Sequence, residues 1–101
     1  MSAFIVVQAQ VSDPEKFSAY TRVVPALVAQ FGGVYRILGG DVECLEGEWE
    51  PAATVISEWP SAEAAQAFWN SPEYQQARTL REGTGHFQVL LISDNKTKPL
   101  I

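Results

Sequence analysis

The sequence predicts an α+β domain in which a four-stranded antiparallel sheet carries its helices on one face. Two amphipathic helical segments alternate with apolar strand-like runs, and glycines or prolines separate these elements in the order β-α-β-β-α-β. The chain has 101 residues, of which 47% are hydrophobic. That length and composition predict a single domain over residues 1–94, followed by a polar C-terminal tail at 95–101.

A strand and then a helix are predicted at the start of the chain. Ala3 to Val11 is nearly all apolar or β-favouring, so we expect a strand that is buried on at least one side. Ser12-Asp13-Pro14 starts the helix, because serine or aspartate can cap it and proline suits its first turn. Pro25 is expected to kink this helix, and Gly32-Gly33 to end it. One apolar stripe is formed by Phe17, Tyr20, Val24, Leu27, Val28 and Phe31.

The middle of the chain predicts two strands joined by an acidic segment. Val34 to Leu38 is predicted as the second strand, followed by a turn or bulge at Gly39-Gly40-Asp41. The strand can continue through Val42 to Leu45, and residues 46–51 are predicted as an acidic loop. Ala52 to Trp59 is predicted as the third strand.

A split second helix and a fourth strand complete the predicted order. Pro60-Ser61 opens the helix with its serine as the cap, and Asn70-Ser71-Pro72 breaks it and restarts a short third helix. Gly83-Thr84-Gly85 ends that helix, and His86 to Ile92 is predicted as the fourth strand. The inner faces of the two helices are expected to carry Ala64, Ala65, Phe68, Trp69, Tyr74, Ala77, Leu80 and Arg81.

This order is the ferredoxin-like split β-α-β arrangement, which leaves one face of the sheet without helices. Strand alternation assigns to that face Phe4, Val6, Gln8, Gln10, Thr54, Ile56, Glu58, His86, Gln88, Leu90 and Ile92. A face with so many large apolar groups is typical of an interface rather than of a surface in water. We therefore expect a homodimer through this open face, in which the polar members line a residual cavity.

Charge and composition exclude several classes of partner. The chain contains seven Lys and Arg residues and twelve Asp and Glu residues, which gives a formal net charge of -5. This charge argues against nucleic acid as a partner. No apolar run approaches the ~20 residues of a membrane helix, and the start lacks the basic region of a signal peptide. We therefore expect a cytoplasmic protein that does not associate with membranes.

Neither a disulfide nor a metal site is expected from one chain. Cys44 is the single cysteine, and it lies among carboxylates that disfavour a thiolate. The single histidine excludes a site with several histidines from one chain, so no metal and no cofactor are predicted.

Several linked segments carry a resemblance to a known family. They are Ser12-Asp13-Pro14-Glu15, Val24-Pro25-Ala26-Leu27, Phe31-Gly32-Gly33, Leu45-Glu46-Gly47-Glu48-Trp49, Glu58-Trp59-Pro60-Ser61 and Trp69-Asn70-Ser71-Pro72-Glu73-Tyr74. This set, which lies between about Ala3 and Asp94, resembles the DUF1330 family of the dimeric α+β barrel superfamily. The resemblance implies two ferredoxin-like protomers whose sheets face each other. The family has no assigned reaction, and its superfamily includes cofactor-free monooxygenases, haem-degrading enzymes, lactone isomerases and small-molecule sensors.

Two side chains are candidates for acid–base catalysis. His86 is the only side chain here whose ordinary pKa lies near neutrality. It is interpreted either as a general base or ligand donor in the residual cavity, or as a residue at the rim of the interface. Glu58 needs a cationic partner on its half-polar face, for which Arg36, Arg78 and Arg81 are candidates. It is interpreted either as a structural ion pair or as an acid–base group.

Six further side chains are candidates for ligand binding: Tyr20, Trp69, Tyr74, Arg78, Arg81 and Gln8. The two arginines are about one turn apart and can clamp an anion, or else lie on a solvated helix face. The three aromatic residues lie on inner helix faces, where they either stack on a ligand or pack in the core. Gln8 is expected to face the residual cavity.

Two functions from different classes remain open at this point. One is a metal-free enzyme that performs proton transfer or cofactor-independent oxygenation on a small apolar or aromatic metabolite. The other is a dimer without catalytic activity, which either binds a small molecule or is purely structural.

Overall fold

The chain forms one four-stranded sheet in the order β2-β3-β1-β4. The computed structural model describes residues 2–50 and 52–94, so the predicted tail at 95–101 lies outside the described residues. β1 lies in the middle and runs antiparallel to β3 and β4, while β2 pairs antiparallel with β3 at one edge. The strands are β1 (Ala3–Val11), β2 (Val34–Gly40), β3 (Ala53–Trp59) and β4 (Gly85–Ser93).

Three helices, each with a side-chain cap at its start, accompany the sheet. They are α1 (Pro14–Gln30), α2 (Ala62–Asn70) and α3 (Pro72–Arg78), and a 3-10 turn follows at Thr79–Arg81. Asp13, Ser61 and Ser71 accept backbone N–H groups at 3.1, 3.0 and 3.1 Å respectively, as the sequence predicts. The predicted α+β fold, with the order β-α-β-β-α-β and a split second helix, is confirmed.

The predicted continuation of β2 through Val42 to Leu45 is wrong. β2 ends at Gly40, whose partner Thr54 lies next to the first residue of β3. Residues 42–45 therefore have no strand beside them with which to form ladder hydrogen bonds. β2 contains two register shifts. The shift between Leu38 and Gly40 confirms the predicted irregularity at the glycines, where Gly39 has a φ of 79°, and the other lies between Tyr35 and Ile37.

The prediction that Leu80 faces inward with Tyr74 and Ala77 is also wrong. Tyr74, Ala77 and Arg81 are buried, whereas 37% of Leu80 is exposed. Leu80 lies in the 3-10 turn, which has three residues per turn instead of 3.6. Even at the α-helical period of about 100° per residue, Leu80 is about 120° around the helix axis from Tyr74, so it lies at the edge of the stripe and remains partly exposed.

The hydrophobic core lies between the helices and the inner face of the sheet, which we define as the face that carries Ile5. Trp59 is 1% exposed, and its Nε1 donates to Ser57 Oγ at 2.9 Å. The ring of Phe68 in α2 lies 4.9 Å from Trp59 and 4.5 Å from Tyr74, measured between ring centroids. This aromatic packing fastens α2 and α3 onto β3.

The outer face of the sheet is free of helices and divides into two halves. At one end Phe4 pairs with Ile92, and Val6 lies between Ile56 and Leu90. Leu90 and Ile92 are 61% and 50% exposed within the protomer. We call this end the apolar half, and Ile37 of β2, which pairs with Ile56, extends it. The other end, which we call the polar half, is made by Gln8, Gln10, Thr54, His86 and Gln88.

Candidate functional site

A cavity of about 350 Å³ lies between the inner face of the sheet and α1. Its walls include inner-face side chains of all four strands, together with α1 and aromatic residues of α2 and α3. Most of this lining is apolar or aromatic, and a few hydroxyl groups and one guanidinium project from the walls. Such a lining is typical of a small-molecule site. We call this space the inner cavity.

Two tyrosine hydroxyls meet at the wall of the inner cavity. Tyr20 Oη of α1 and Tyr74 Oη of α3 are 2.9 Å apart, and the rings meet edge to face. Burial raises the pKa of the Tyr20 phenol, and the adjacent Tyr74 hydroxyl raises it further. Tyr20 therefore keeps its proton at neutral pH and can act as a hydrogen-bond donor.

Arg81 brings a positive charge to the same wall. Its side chain is 9% exposed, and its Cζ lies 5.3 Å from the ring centroid of Tyr20 and 4.4 Å from that of Phe87. These distances are in the range of cation–π contacts. The 3-10 turn that carries Arg81 is held in place because Thr84 donates its N–H and its hydroxyl to the Arg81 carbonyl.

Four of the predicted ligand-binding residues line the inner cavity: Tyr20, Trp69, Tyr74 and Arg81. Arg78 is not among the residues that line it, and its guanidinium lies 5.2 Å from the Trp69 ring centroid. The two arginines therefore contact different aromatic rings and do not meet as a pair in the protomer.

Gln8 and His86 lie on the outer face, in an open groove of about 600 Å³. The groove is formed by the polar half and by residues 48–50 and 52 of the loop that follows β2. Trp49, which is 53% exposed, forms part of its wall. His86 and Gln8 are thus together, but the sheet separates them from the inner cavity.

Glu58 lies at the apolar end of the outer face and forms an ion pair. Its Oε1 accepts from Arg36 Nε at 2.9 Å, and its Oε2 accepts from Ser2 Oγ at 3.1 Å. The hydrogen bond from Arg36, followed by that from Ser2, holds the pKa of the Glu58 carboxyl below its usual range. Of the three arginines considered as its partner, the structure selects Arg36, and Glu58 lines neither the inner cavity nor the groove that contains His86.

Tyr35 is a residue of the inner cavity to which the sequence analysis assigned no role. It lies on β2 opposite Ser57, and burial together with Tyr74 raises the pKa of its phenol. Strand alternation from Val34 would have placed it on the inner face. Together with Tyr20 and Tyr74 it makes the wall rich in phenol groups.

In residues 2–50 and 52–94, no three His, Cys, Asp or Glu side chains come together in a way that could hold a metal ion. No helix in this part of the chain is both long enough and apolar enough to cross a bilayer.

Comparisons with known proteins agree with this architecture. A family model described as a domain of unknown function (DUF1330) matches residues 2–95. No curated protein matches the chain. The crystal structure of RPA0582, a protein of unknown function from Rhodopseudomonas palustris, has a TM-score of 0.74 at 18% identity, over 94% of this chain and 83% of that one.

Two further solved structures have a similar fold. A dimeric ferredoxin-like protein of unknown function from Jannaschia sp. CCS1 has a TM-score of 0.70 at 12% identity, over 93% of this chain and 100% of that one. SnoaB from Streptomyces nogalater, a cofactor-independent oxygenase, has a TM-score of 0.68 at 18% identity, over 97% of each chain. These similarities confirm the ferredoxin-like fold.

Proposed function

The chain belongs to the DUF1330 family, and from that premise we propose that it binds a small apolar or aromatic metabolite in the inner cavity. The observation that carries this proposal is the cavity of about 350 Å³, whose aromatic walls surround two hydrogen-bonded tyrosines and a buried arginine. Pockets of this kind combine apolar contact area with a few polar groups that orient a ligand. A well-packed core would instead fill such a space with side chains.

In the proposed assembly, the protein is a cytoplasmic homodimer. The outer faces of the two protomers contact each other and form a dimeric α+β barrel. The apolar half supports this assembly, because in the protomer it leaves Leu90, Ile92 and Ile37 exposed by 61%, 50% and 44%. The dimeric ferredoxin-like protein from Jannaschia supplies a related precedent. In this dimer the groove with Gln8 and His86 becomes the residual cavity between the sheets.

The proposed activity is metal-free catalysis, either proton transfer or cofactor-independent oxygenation. Its metal-free character follows from the lining, because the described residues around the inner cavity include no His, Cys, Asp or Glu that could hold a metal ion. In the oxygenation, O₂ converts a CH₂ group of the substrate to a carbonyl, and the second oxygen atom leaves as water. SnoaB, a cofactor-independent oxygenase with a similar fold, provides the comparison for oxygenation without a cofactor. His86 and Glu58, the acid–base candidates from the sequence, lie on the outer face, so they are proposed to act only on a ligand held between the two sheets of the dimer and not on one in the inner cavity.

The alternative function is a ligand-binding dimer without catalysis. One observation favours it: among the described residues that line the inner cavity, the ionisable side chains are tyrosines and Arg81. At neutral pH phenols with raised pKa values and a guanidinium are proton donors, and none of them is a ready general base.

Oxygen uptake with 1,8-dihydroxyanthrone separates the two functions. We expect the protein to bind this planar probe and, if it is an oxygenase, to accelerate its conversion to the quinone above the buffer rate. Val55→Trp, which fills the inner cavity, is expected to remove both effects, whereas Ala29→Trp on the exposed side of α1 is expected to leave them unchanged. Binding without acceleration selects the non-catalytic alternative. Absence of binding, or equal binding by Val55→Trp, contradicts the proposed site.

A further inference from the structure

Arg81 is the one buried arginine among the described residues, and three elements of the fold hold its side chain in place. The 3-10 turn carries it, and its Cζ lies over the ring of Tyr20 in α1 and over the ring of Phe87 in β4. Phe17 stacks on both rings, with centroids 5.4 Å from Tyr20 and 5.6 Å from Phe87. The guanidinium is therefore held at the wall of the inner cavity before any ligand arrives.

Among the described residues no counter-ion accompanies this charge. Within residues 2–50 and 52–94 the ion pair Arg36–Glu58 is the one formed. No side-chain acceptor is found there for the Arg81 guanidinium, and its N–H groups are not sealed from solvent. Burial of a cation is costly unless an anion or hydrogen-bond acceptors compensate it. The cation–π contacts with Tyr20 and Phe87 offset part of that cost. They do not involve the N–H groups of Arg81, which lie in the plane of the guanidinium and remain able to donate to a ligand.

The tyrosine pair supplies a further donor at the same wall. Tyr20 and Tyr74 have two hydroxyl hydrogens, and their mutual bond of 2.9 Å uses one of them. The other hydrogen can be donated to a ligand, and the raised pKa of Tyr20 keeps the proton on its phenol. A guanidinium and a hydroxyl donor together suit an oxygen atom that carries negative charge.

We propose that the ligand of the inner cavity is an aromatic molecule with one anionic oxygen group, a carboxylate or an enolate, and that Arg81 selects it. This inference rests on the proposed function and adds the charge of the ligand. The aromatic walls take the flat body of the molecule, while Arg81 and the tyrosine pair take its oxyanion. The formal net charge of the whole chain is -5, which by itself repels anions. The preference for an anion must therefore come from the local charge of Arg81.

A pair of probes of equal shape tests the inference: 2-naphthoate, which is anionic at pH 7, and 2-naphthamide, which is neutral. Titration of each probe into the wild-type protein by calorimetry is expected to show at least about tenfold tighter binding of 2-naphthoate. Arg81→Gln is expected to remove this preference and leave the affinity for 2-naphthamide within about threefold of the wild-type value. Arg22→Gln, which removes the same charge from the exposed surface of α1, is expected to retain the preference.

Each outcome of the titrations has a separate meaning. If neither probe binds the wild-type protein, the proposed function is overturned, and the charge inference with it. If both probes bind equally, the charge inference alone is overturned. If Arg81→Gln keeps the preference, another residue selects the anion and the assignment to Arg81 is overturned. Arg81→Lys, checked for folding by circular dichroism, is expected to show an intermediate preference, and the wild-type comparison stands even if a variant does not fold.

Discussion

Val6→Asp is expected to convert the protein from a dimer to a monomer. Val6 lies at the centre of the apolar half, between Ile56 of β3 and Leu90 of β4, so a second copy would enclose it. A carboxylate enclosed there loses its hydration without gaining a cationic partner, which costs several kcal/mol. We expect the dissociation constant of the dimer to rise by at least about 100-fold.

Sedimentation equilibrium measures this change directly. The wild-type protein is expected to sediment at twice the protomer mass of 11.1 kDa, and Val6→Asp at the protomer mass. Ala19→Asp adds the same charge to the exposed side of α1 and is expected to leave the dimer intact. A monomeric wild-type protein at micromolar concentration, or a fully dimeric Val6→Asp, would show that the outer face is not the interface.

Trp59→Ala is expected to lower the free energy of unfolding by about 3–5 kcal/mol. The indole is 1% exposed, and it lies so close to Gly33 that a Cβ at that position would be 2.7 Å from the ring. Its removal leaves a void beside Phe68 and removes the Nε1–H group that donates a hydrogen bond to Ser57 Oγ. Such a loss is a large part of the stability of a domain of this size.

Thermal unfolding followed by circular dichroism tests this expectation. A loss of that size corresponds to a fall in Tm of about 15–30 °C for a domain of about 100 residues. Trp49→Ala, which removes an indole that is 53% exposed in the protomer, is expected to cause a much smaller fall. Equal falls for the two variants would contradict the assignment of Trp59 as the centre of the core.

The order of elements was predictable because local signals determine it. The apolar stripe of α1, the caps at Asp13, Ser61 and Ser71, and the alternation in β1 depend on residues close together in the chain. The end of β2 was not predictable in this way, because it depends on where β3 begins, more than ten residues later.

The candidate site could be predicted in part. Helical spacing predicted Tyr20, Trp69, Tyr74 and Arg81 as candidates for ligand binding, and the structure places all four in the wall of the inner cavity. The existence of that cavity depends on how closely α1 packs on the sheet, which no sequence pattern specifies. The spacing of Arg78 and Arg81 could not show that their guanidinium groups contact different aromatic rings, because those contacts depend on packing against α1, α2 and β4.

Local sequence patterns also could not predict which side chains pair across neighbouring strands of the sheet. Glu58 has Arg36 as its partner because β2 lies beside β3 with a register shift between Tyr35 and Ile37. A register of this kind depends on contacts between strands distant in sequence. The ionisable candidates His86 and Glu58 were correctly assigned to the outer face by alternation, but alternation could not reveal that they lie apart on it.

Nuclear Overhauser effects between a bound aromatic probe and the methyl groups of the protein test the central claim, that the inner cavity is the ligand site. Val7, Val24 and Val55 line the inner cavity, whereas Val6 and Leu90 lie on the outer face. With methyl-labelled protein and 2-naphthoate or 2-naphthamide, we predict cross-peaks from the naphthyl ring protons to the first three residues. Cross-peaks to Val6 and Leu90 alone would contradict the account and place the ligand between the sheets.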